Sequence, residues 1–265
     1  MPELAEVEYF RKQWNPGLRQ RILRVHLRPE KRIFRGTDTA AMQRALPNAL
    51  LLSSEANGKQ MLFRFSDGLW LGLHLGMTGT LATERTPFVP GKHDHLVLAQ
   101  RKRVLVFSDA RQFGRVRFHL GASPPAWWSE LSPALTSPWF TPERMGMFLQ
   151  RHRKLPIKAA LLLQKGFPGI GNWMADEILW RAGVRPTTSA GRLTKSSLQR
   201  LWKEIRFVCR EAIKIVGKDF SDPPSGWLFH ARWRCGGLCP KHQEPLARKT
   251  IGGRTTAWCA QCQTG

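Results

Sequence analysis

The chain has 265 residues, 42% of them apolar, with 42 Lys and Arg against 19 Asp and Glu and a formal net charge of +23. This composition excludes disorder as the default, fits one large or two ordinary domains, and points to a polyanionic partner, nucleic acid ahead of an anionic membrane. No run of about 18 uncharged apolar residues occurs and the amino terminus lacks the apolar stretch of a secretion signal, so an intracellular protein with no membrane association is expected.

The chain opens Met-Pro-Glu-Leu-Ala-Glu-Val. Pro2 and Glu3 suit the first turn of a helix, where proline loses no hydrogen bond and an acid meets the positive dipole end. The same residues allow a chemical reading. Initiator methionine is usually trimmed before a small residue, and its removal leaves Pro2 with a free secondary amine. A helix is expected over 3–14, with Leu4, Val7, Phe10 and Trp14 on one face and a stop at Asn15-Pro16-Gly17. Strand patterns follow at 21–28, 60–65, 69–75, 95–100, 103–107 and 114–118, and Ser66-Asp67-Gly68 marks a hairpin. Short strands at regular spacing suggest a sandwich. Residues 121–140, rich in Pro and Ser, form an expected linker whose tryptophans can pack on a domain.

From Thr141 the period becomes helical. Thr141-Pro142-Glu143 is a cap, an N1 proline and a first-turn acid, and further helices are expected over about 155–164, 172–182 and 195–216. The last is capped by Thr194 and buries Leu198, Leu201, Trp202, Ile205, Val208, Cys209, Ala212, Ile213 and Val216. Pro168-Gly169-Ile170-Gly171-Asn172 leads into the helix at 172, where backbone N–H groups can approach a phosphate and Asn172 can add a side-chain contact. The organisation is α+β with segregated halves.

Four of the five cysteines fall in the last 31 residues. Such clustering suggests a metal rather than disulfides. The tail reads Cys235-Gly-Gly-Leu-Cys239-Pro-Lys-His242, sixteen residues, then Cys259-Ala-Gln-Cys262. Tetrahedral zinc takes four N or S donors. Cys259 and Cys262 make one knuckle; Cys239 with His242 is the favoured second, and Cys235 remains an alternative to His242. Between the knuckles, Gly252-Gly253 turns a hairpin that presents Arg254 to a groove or a phosphate.

Together these stretches resemble the formamidopyrimidine-DNA glycosylase and endonuclease VIII family over nearly the whole chain. The carrying motifs are the opening MPELAEV, Gly58-Lys59, His-Leu-Gly-Met-Thr-Gly at 74–79, Lys-His-Asp-His at 92–95, Ser-Asp-Ala-Arg-Gln-Phe-Gly at 108–114, the stretch 168–183, Lys218-Asp219-Phe220 and the tail. The resemblance implies an N-terminal catalytic β-sandwich with a leading helix over 1–120, a linker over 121–140, a helix-two-turn-helix domain over 141–230 and a zinc-bound β-hairpin finger over 231–265. It implies base-excision repair of damaged double-stranded DNA by a monomer with a structural zinc ion. Pro2 becomes the nucleophile on C1′ of a damaged nucleotide, Glu3 the general acid–base partner, and Lys59 a phosphate contact near the lesion. Supporting roles fall to Glu6, Lys158, Glu177 and Lys218. DNA contacts fall to His93, Asn172 and Arg254. Met77, Arg111 and Phe113 match residues that fill the void left by an extruded base.

Three departures from the family pattern stand out. Ala5 replaces a usual proline, and His242 replaces a usual zinc cysteine. The stretch 218–239 is short for the 8-oxoguanine-directed branch, and residues 221–227 leave little room for the loop that holds the flipped purine there. Oxidised purines, oxidised pyrimidines and bulkier lesions therefore stay open as substrates. A non-catalytic zinc-finger protein that recognises damaged DNA is the alternative reading; Pro2, Glu3 and Lys59 speak against it.

Overall fold

The computed structural model describes residues 1–264; Gly265, the end of the expected 231–265 finger, lies outside the described residues. The chain divides into two compact units, one of Met1–Pro2 with Glu6–Leu131 and the other of Glu3–Ala5 with the chain from Ser132 onward. Helix α1 (Leu4–Lys12) is shared: Val7 belongs to the first core, whereas Leu4 and Ala5 belong to the second. The single apolar face read from the sequence therefore serves two cores.

The first unit is built from β1 (Arg24–Leu27), α2 (Thr39–Ala45), β2 (Leu51–Asn57), β3 (Gln60–Phe65), β4 (Leu69–His74), β5 (Thr80–Arg85), β6 (Asp94–Ala99), β7 (Arg103–Ser108), β8 (Arg115–Leu120) and the short α3 (Ala126–Ser129). Its strands form two antiparallel four-stranded sheets, ordered β1-β6-β7-β5 and β2-β3-β4-β8. Alternation puts Met61, Phe63, Phe65, Leu71, Leu73 and Val116 into the core, together with Leu96, Leu98, Leu105 and Phe107 of the other sheet. Trp14 is fully buried there and its indole N–H donates to the Val106 carbonyl at 3.2 Å. The Ser66-Asp67-Gly68 hairpin forms as expected, with Asp67 and Gly68 both at positive φ. The sequence pattern missed β2, β5 and α2. Both missed strands are sheet edges, where polar residues such as Ser53, Ser54 and Glu84 obscure the alternation. Within the expected 121–140 linker, Trp127 packs over β4 at Gly72, and the boundary between the units falls after Leu131.

The second unit holds α4 (Pro142–Arg151), α5 (Ile157–Leu161), α6 (Asn172–Ala182), α7 (Lys195–Asp219) and the hairpin β9 (Ala247–Ile251) and β10 (Arg254–Trp258). Thr141 caps α4 and Thr194 caps α7, each accepting from the backbone N–H three residues on. Gly183, at φ 67°, ends α6. The α7 stripe is buried as its periodicity predicts, and the helix continues to Asp219, so Lys218 lies in its last turn. Among the described residues no helix is long and apolar enough to cross a membrane.

Candidate active site and nucleic-acid interface

The N-cap of helix α6 is Gly171, which has no side chain to satisfy the first N–H groups. Glu3 satisfies them instead. Its carboxylate, 4% exposed, accepts from the N–H groups of Gly171 at 2.9 Å, Trp173 at 3.0 Å and Met174 at 3.1 Å. The Leu4 N–H donates to the Gly169 carbonyl at 3.0 Å and secures the same segment. A Cβ at position 171 would come within 2.3 Å of the Glu3 carboxyl carbon, so only glycine admits this approach. The glycine-rich entry therefore meets a carboxylate, as its geometry suggested for an anion: Glu3 takes the N–H groups of Gly171, Trp173 and Met174.

In the first unit, Gly58 and Lys59 form the tight turn that joins β2 to β3. The Lys59 ammonium donates to the Met1 sulfur at 3.7 Å, which brings Lys59 to the residue preceding Pro2. Glu6 is half-buried in the first turn of α1. His74, at the end of β4, is a residue for which the sequence offered a motif and no role. Its Nδ1 accepts from the Gly76 N–H at 3.0 Å. Burial, followed by the charges of Lys59, Arg35 and Arg117, pushes it down to about 4, so the ring is neutral near pH 7.

Met77 and Phe113 are both solvent-exposed apolar side chains, 39% and 41% exposed, on two loops of this unit. The Arg111 guanidinium lies 4.7 Å over the Phe113 ring. Asp109, also missed by sequence reasoning, ties the two loops together. It is fully buried; Oδ1 accepts from the Thr78 hydroxyl at 2.9 Å and the Arg111 N–H at 3.2 Å, and Oδ2 from the Gly114 N–H at 2.7 Å. The Asp109 N–H donates to the carbonyl of His93, whose side chain is exposed.

Lys158 and Glu177 are both fully buried in the second unit. Lys158 donates to Asp176 Oδ1 at 2.5 Å and to the Asn172 carbonyl at 2.7 Å. Burial pushes its ammonium below the usual lysine range, against the pull of Asp176. Arg232 donates two hydrogen bonds to Asp176 Oδ2, at 2.7 and 3.0 Å, and the Ala257 N–H adds a third at 3.2 Å. This node joins α5, α6 and β10. Asn172 reinforces it: its side-chain amide donates to the Thr255 carbonyl at 3.0 Å. Asp176 and Arg232 escaped sequence reasoning, although an acid inside an apolar helix of a strongly cationic chain was the available signal. Glu177 accepts from Arg181 at 2.7 Å and from the Phe229 N–H at 3.2 Å, and burial pushes its carboxyl up to about 7. Lys218 is exposed.

In the tail, the donor atoms of Cys239, His242, Cys259 and Cys262 all lie within 4.8 Å of one another. Cys235 is exposed and outside this group. The Cys239 and Cys262 sulfurs are 3.7 Å apart, and His242 Nδ1 lies 3.3 Å from Cys262 Sγ and 3.6 Å from Cys259 Sγ. A zinc tetrahedron with bonds of about 2.3 Å to sulfur and about 2.0 Å to nitrogen has edges of about 3.8 Å and about 3.5 Å, so these donors fit the ion. Trp180 Nε1 donates to Cys239 Sγ at 3.4 Å as an outer partner. Gly252 and Gly253, both at positive φ, turn the β9–β10 hairpin and leave Arg254 exposed beside its tip.

A β-sandwich, a helical unit and a Cys3His hairpin together define the class: a two-unit α+β protein whose carboxy-terminal hairpin carries a four-donor cluster compatible with zinc. Residues 1–116 match the model of the formamidopyrimidine-DNA glycosylase N-terminal domain, and residues 131–222 match that of the formamidopyrimidine-DNA glycosylase H2TH domain. The chain is 34% identical over 277 residues to the formamidopyrimidine-DNA glycosylase of Burkholderia lata, covering 99% of this chain and 100% of that one. It is 34% identical over 288 residues to the enzyme of the same name from Thermus thermophilus, covering 99% and 98%. Among solved structures, the formamidopyrimidine-DNA glycosylase of Lactococcus lactis, bound non-covalently to DNA containing an AP site, is similar at 26% identity and a TM-score of 0.85, covering 99% of this chain and 100% of that one. The chain belongs to the formamidopyrimidine-DNA glycosylase family.

Proposed function

We propose that the chain is a base-excision-repair DNA glycosylase with abasic-site lyase activity that works through Pro2. With Met1 removed, the Pro2 nitrogen attacks C1′ of a damaged nucleotide and the base leaves with its bonding pair. The Glu3 carboxylate takes the N–H proton from the resulting ammonium; the freed nitrogen lone pair then opens the sugar to an iminium as Glu3 passes that proton to the ring oxygen. The iminium acidifies the C2′ hydrogen; loss of that proton expels the 3′ phosphate, and a second elimination expels the 5′ phosphate. The observation that supports this reading is the approach of the Lys59 ammonium to the Met1 sulfur, at the residue preceding Pro2, from where Lys59 is proposed to hold a phosphate near the lesion. Glu3, next in sequence, is pinned by three backbone donors and so offers a fixed carboxylate.

Extruding a base costs a few kcal/mol. Met77, Arg111 and Phe113 fill the space it leaves, on loops that Asp109 braces. Asn172 and Arg254 grip phosphates, with His93 as an outlying contact and Lys218 in a supporting role at the end of α7. Lys158 and Glu177 support the helical scaffold from within, and Glu6 supports α1. A zinc ion held by Cys239, His242, Cys259 and Cys262 fixes the finger and supplies no chemistry to the reaction. In this reading residues 1–120 carry the catalysis, 121–140 connect, and 141–230 with the finger hold damaged duplex DNA as a monomer inside the cell.

Borohydride trapping tests the mechanism. Wild-type protein is expected to form a covalent adduct with abasic-site duplex. Pro2→Gly, or a tag left on the amino terminus, is expected to lower the trapping rate by at least tenfold. Turnover without an adduct, or an equal rate with a blocked terminus, overturns the role of Pro2. A panel of oligonucleotides carrying oxidised purines, oxidised pyrimidines and bulky adducts then assigns the lesion.

A further inference from the structure

We propose that Arg35, Arg115 and Arg117 form a phosphate-binding track on the outer face of the β3–β4–β8 sheet, which holds a DNA strand through its phosphates. The inference rests on the reading of this chain as a DNA-binding enzyme and adds a surface that the family motifs do not contain.

The alternation of β8 sets the geometry. Val116 is fully buried and Phe118 packs against the same core, so Arg115 and Arg117 project to the opposite face. In the sheet register Arg115 stands opposite His74 and Arg117 opposite Gly72. Arg35 reaches the same place from the loop after the 3-10 turn at Arg32–Phe34. Its Nη1 donates to the Gly114 carbonyl at 2.7 Å and to the Arg32 carbonyl at 3.1 Å. A Cβ at the next residue, Gly36, would lie 3.7 Å from Arg115 Nη2.

Three cations thus share a patch, and among the described residues no carboxylate pairs with any of them. Arg115 Nε is buried without an acceptor. Burial and then mutual repulsion push Arg35 and Arg117 below the usual arginine range. Like charges gathered without a counterion cost stability, and an external anion offsets that cost. Core packing does not account for the patch, because these side chains lie on the face away from the core. Stacking accounts only for Arg117, whose guanidinium lies 4.9 Å over the Trp127 ring.

The spacing selects the anion. Arg115 and Arg117 are two residues apart on one strand, about 6.8 Å at the usual rise per residue. That separation is comparable to the distance between successive phosphates of a nucleic-acid strand. Cations spread along a line suit a chain of phosphates better than one free phosphate, which is held by donors converging on a point. Through Gly114, the track also adjoins the loop that carries Arg111 and Phe113.

The test is the salt dependence of binding to an abasic-analogue duplex, using the full chain with its metal. Removing one phosphate-binding cation is expected to flatten the slope of log affinity against log salt by about 0.9. The double variant Arg115→Gln/Arg117→Gln is expected to flatten it by about 1.8, and Arg115→Lys/Arg117→Lys to restore it. Arg35→Gln, which leaves the stacking of Arg117 on Trp127 untouched, is expected to flatten it alone. Replacing single phosphates by neutral methylphosphonates should weaken wild type at two consecutive linkages and leave the double variant indifferent there. Equal slopes for wild type and both glutamine variants overturn the track. Competition by inorganic phosphate against wild type but not the double variant assigns a free-anion site and overturns the strand assignment. Failure of wild type to trap on abasic DNA breaks the enzymatic reading separately, because the salt slope requires binding alone.

Discussion

Asp109 in the sandwich and Asp176 in the helical unit are both fully buried, yet they are satisfied in opposite ways. Asp109 takes only neutral donors: a threonine hydroxyl and two backbone N–H groups. Asp176 takes two cations, Lys158 and Arg232, with one backbone N–H besides. The first arrangement sets the shape of loops whose outer side chains remain exposed. The second neutralises charge and locks three elements, including the strand that starts at Arg254. A chain with so few acids thus places one where it braces the loops of Met77 and Phe113 and another where it makes buried cations tolerable. The two differ in what removal costs, and that difference can be measured.

The finger is the larger side of the comparison, since it is secured both by the metal-ligand group and by Asp176. Structural zinc contributes roughly 10–16 kcal/mol to folding in isolated zinc fingers, so metal removal is expected to have the largest effect. Chelation should abolish amide exchange protection across residues 247–258 while the sandwich strands keep theirs. Metal analysis should find one zinc per chain, absent from His242→Ala and retained in Cys235→Ala. The reverse pattern for these two variants would assign Cys235 as the fourth ligand.

The acid pair gives the next two effects. Asp176→Asn leaves Lys158 and Arg232 buried without a counter-charge, which is expected to cost about 3–5 kcal/mol in denaturant unfolding. Asp109→Asn keeps the shape but turns a pure acceptor into a partial donor facing N–H groups, at a cost of up to about 3 kcal/mol. Only the second is expected to change quenching of a fluorescent base placed opposite the lesion, because Asp109 braces the loops of Met77, Arg111 and Phe113. Equal stability losses, or altered quenching in Asp176→Asn alone, would break the contrast.

The sequence made part of this visible. The α7 stripe, the Ser66-Asp67-Gly68 turn and the Cys239, His242, Cys259 and Cys262 grouping are local patterns, and local spacing carries them. Edge strands β2 and β5 were hidden because polar side chains such as Ser53, Ser54 and Glu84, typical of sheet edges, break the hydrophobic alternation. Asp109, Asp176 and Arg232 were hidden for a different reason. Their roles depend on partners far along the chain: Asp176 is 56 residues from Arg232 and 81 from Ala257. Glu3 shows the same limit. Its acidity at a chain start was legible, whereas its position at the amino end of a helix 168 residues away was not.

The smallest effect sharpens the comparison by adding a third buried acid, Glu177, which has one cation, Arg181, and backbone donors that include the Phe229 N–H. Burial raises its carboxyl from the ordinary 4.5 to about 7. Below the unfolded value both states hold the proton and its stabilising contribution is complete. As pH rises towards 7 the unfolded chain releases the proton while the native chain retains it, so the contribution shrinks; above 7 both are ionised and it is gone. Wild type is therefore expected to lose up to about 2 kcal/mol relative to Glu177→Gln between pH 5 and pH 8, read from denaturant unfolding. Glutamine keeps an acceptor for the Phe229 N–H and cannot titrate, which isolates the charge. A pH-independent difference between the two proteins would mean that Arg181 holds Glu177 ionised throughout, and Glu177 would then join Asp176 as an acid matched by its cation.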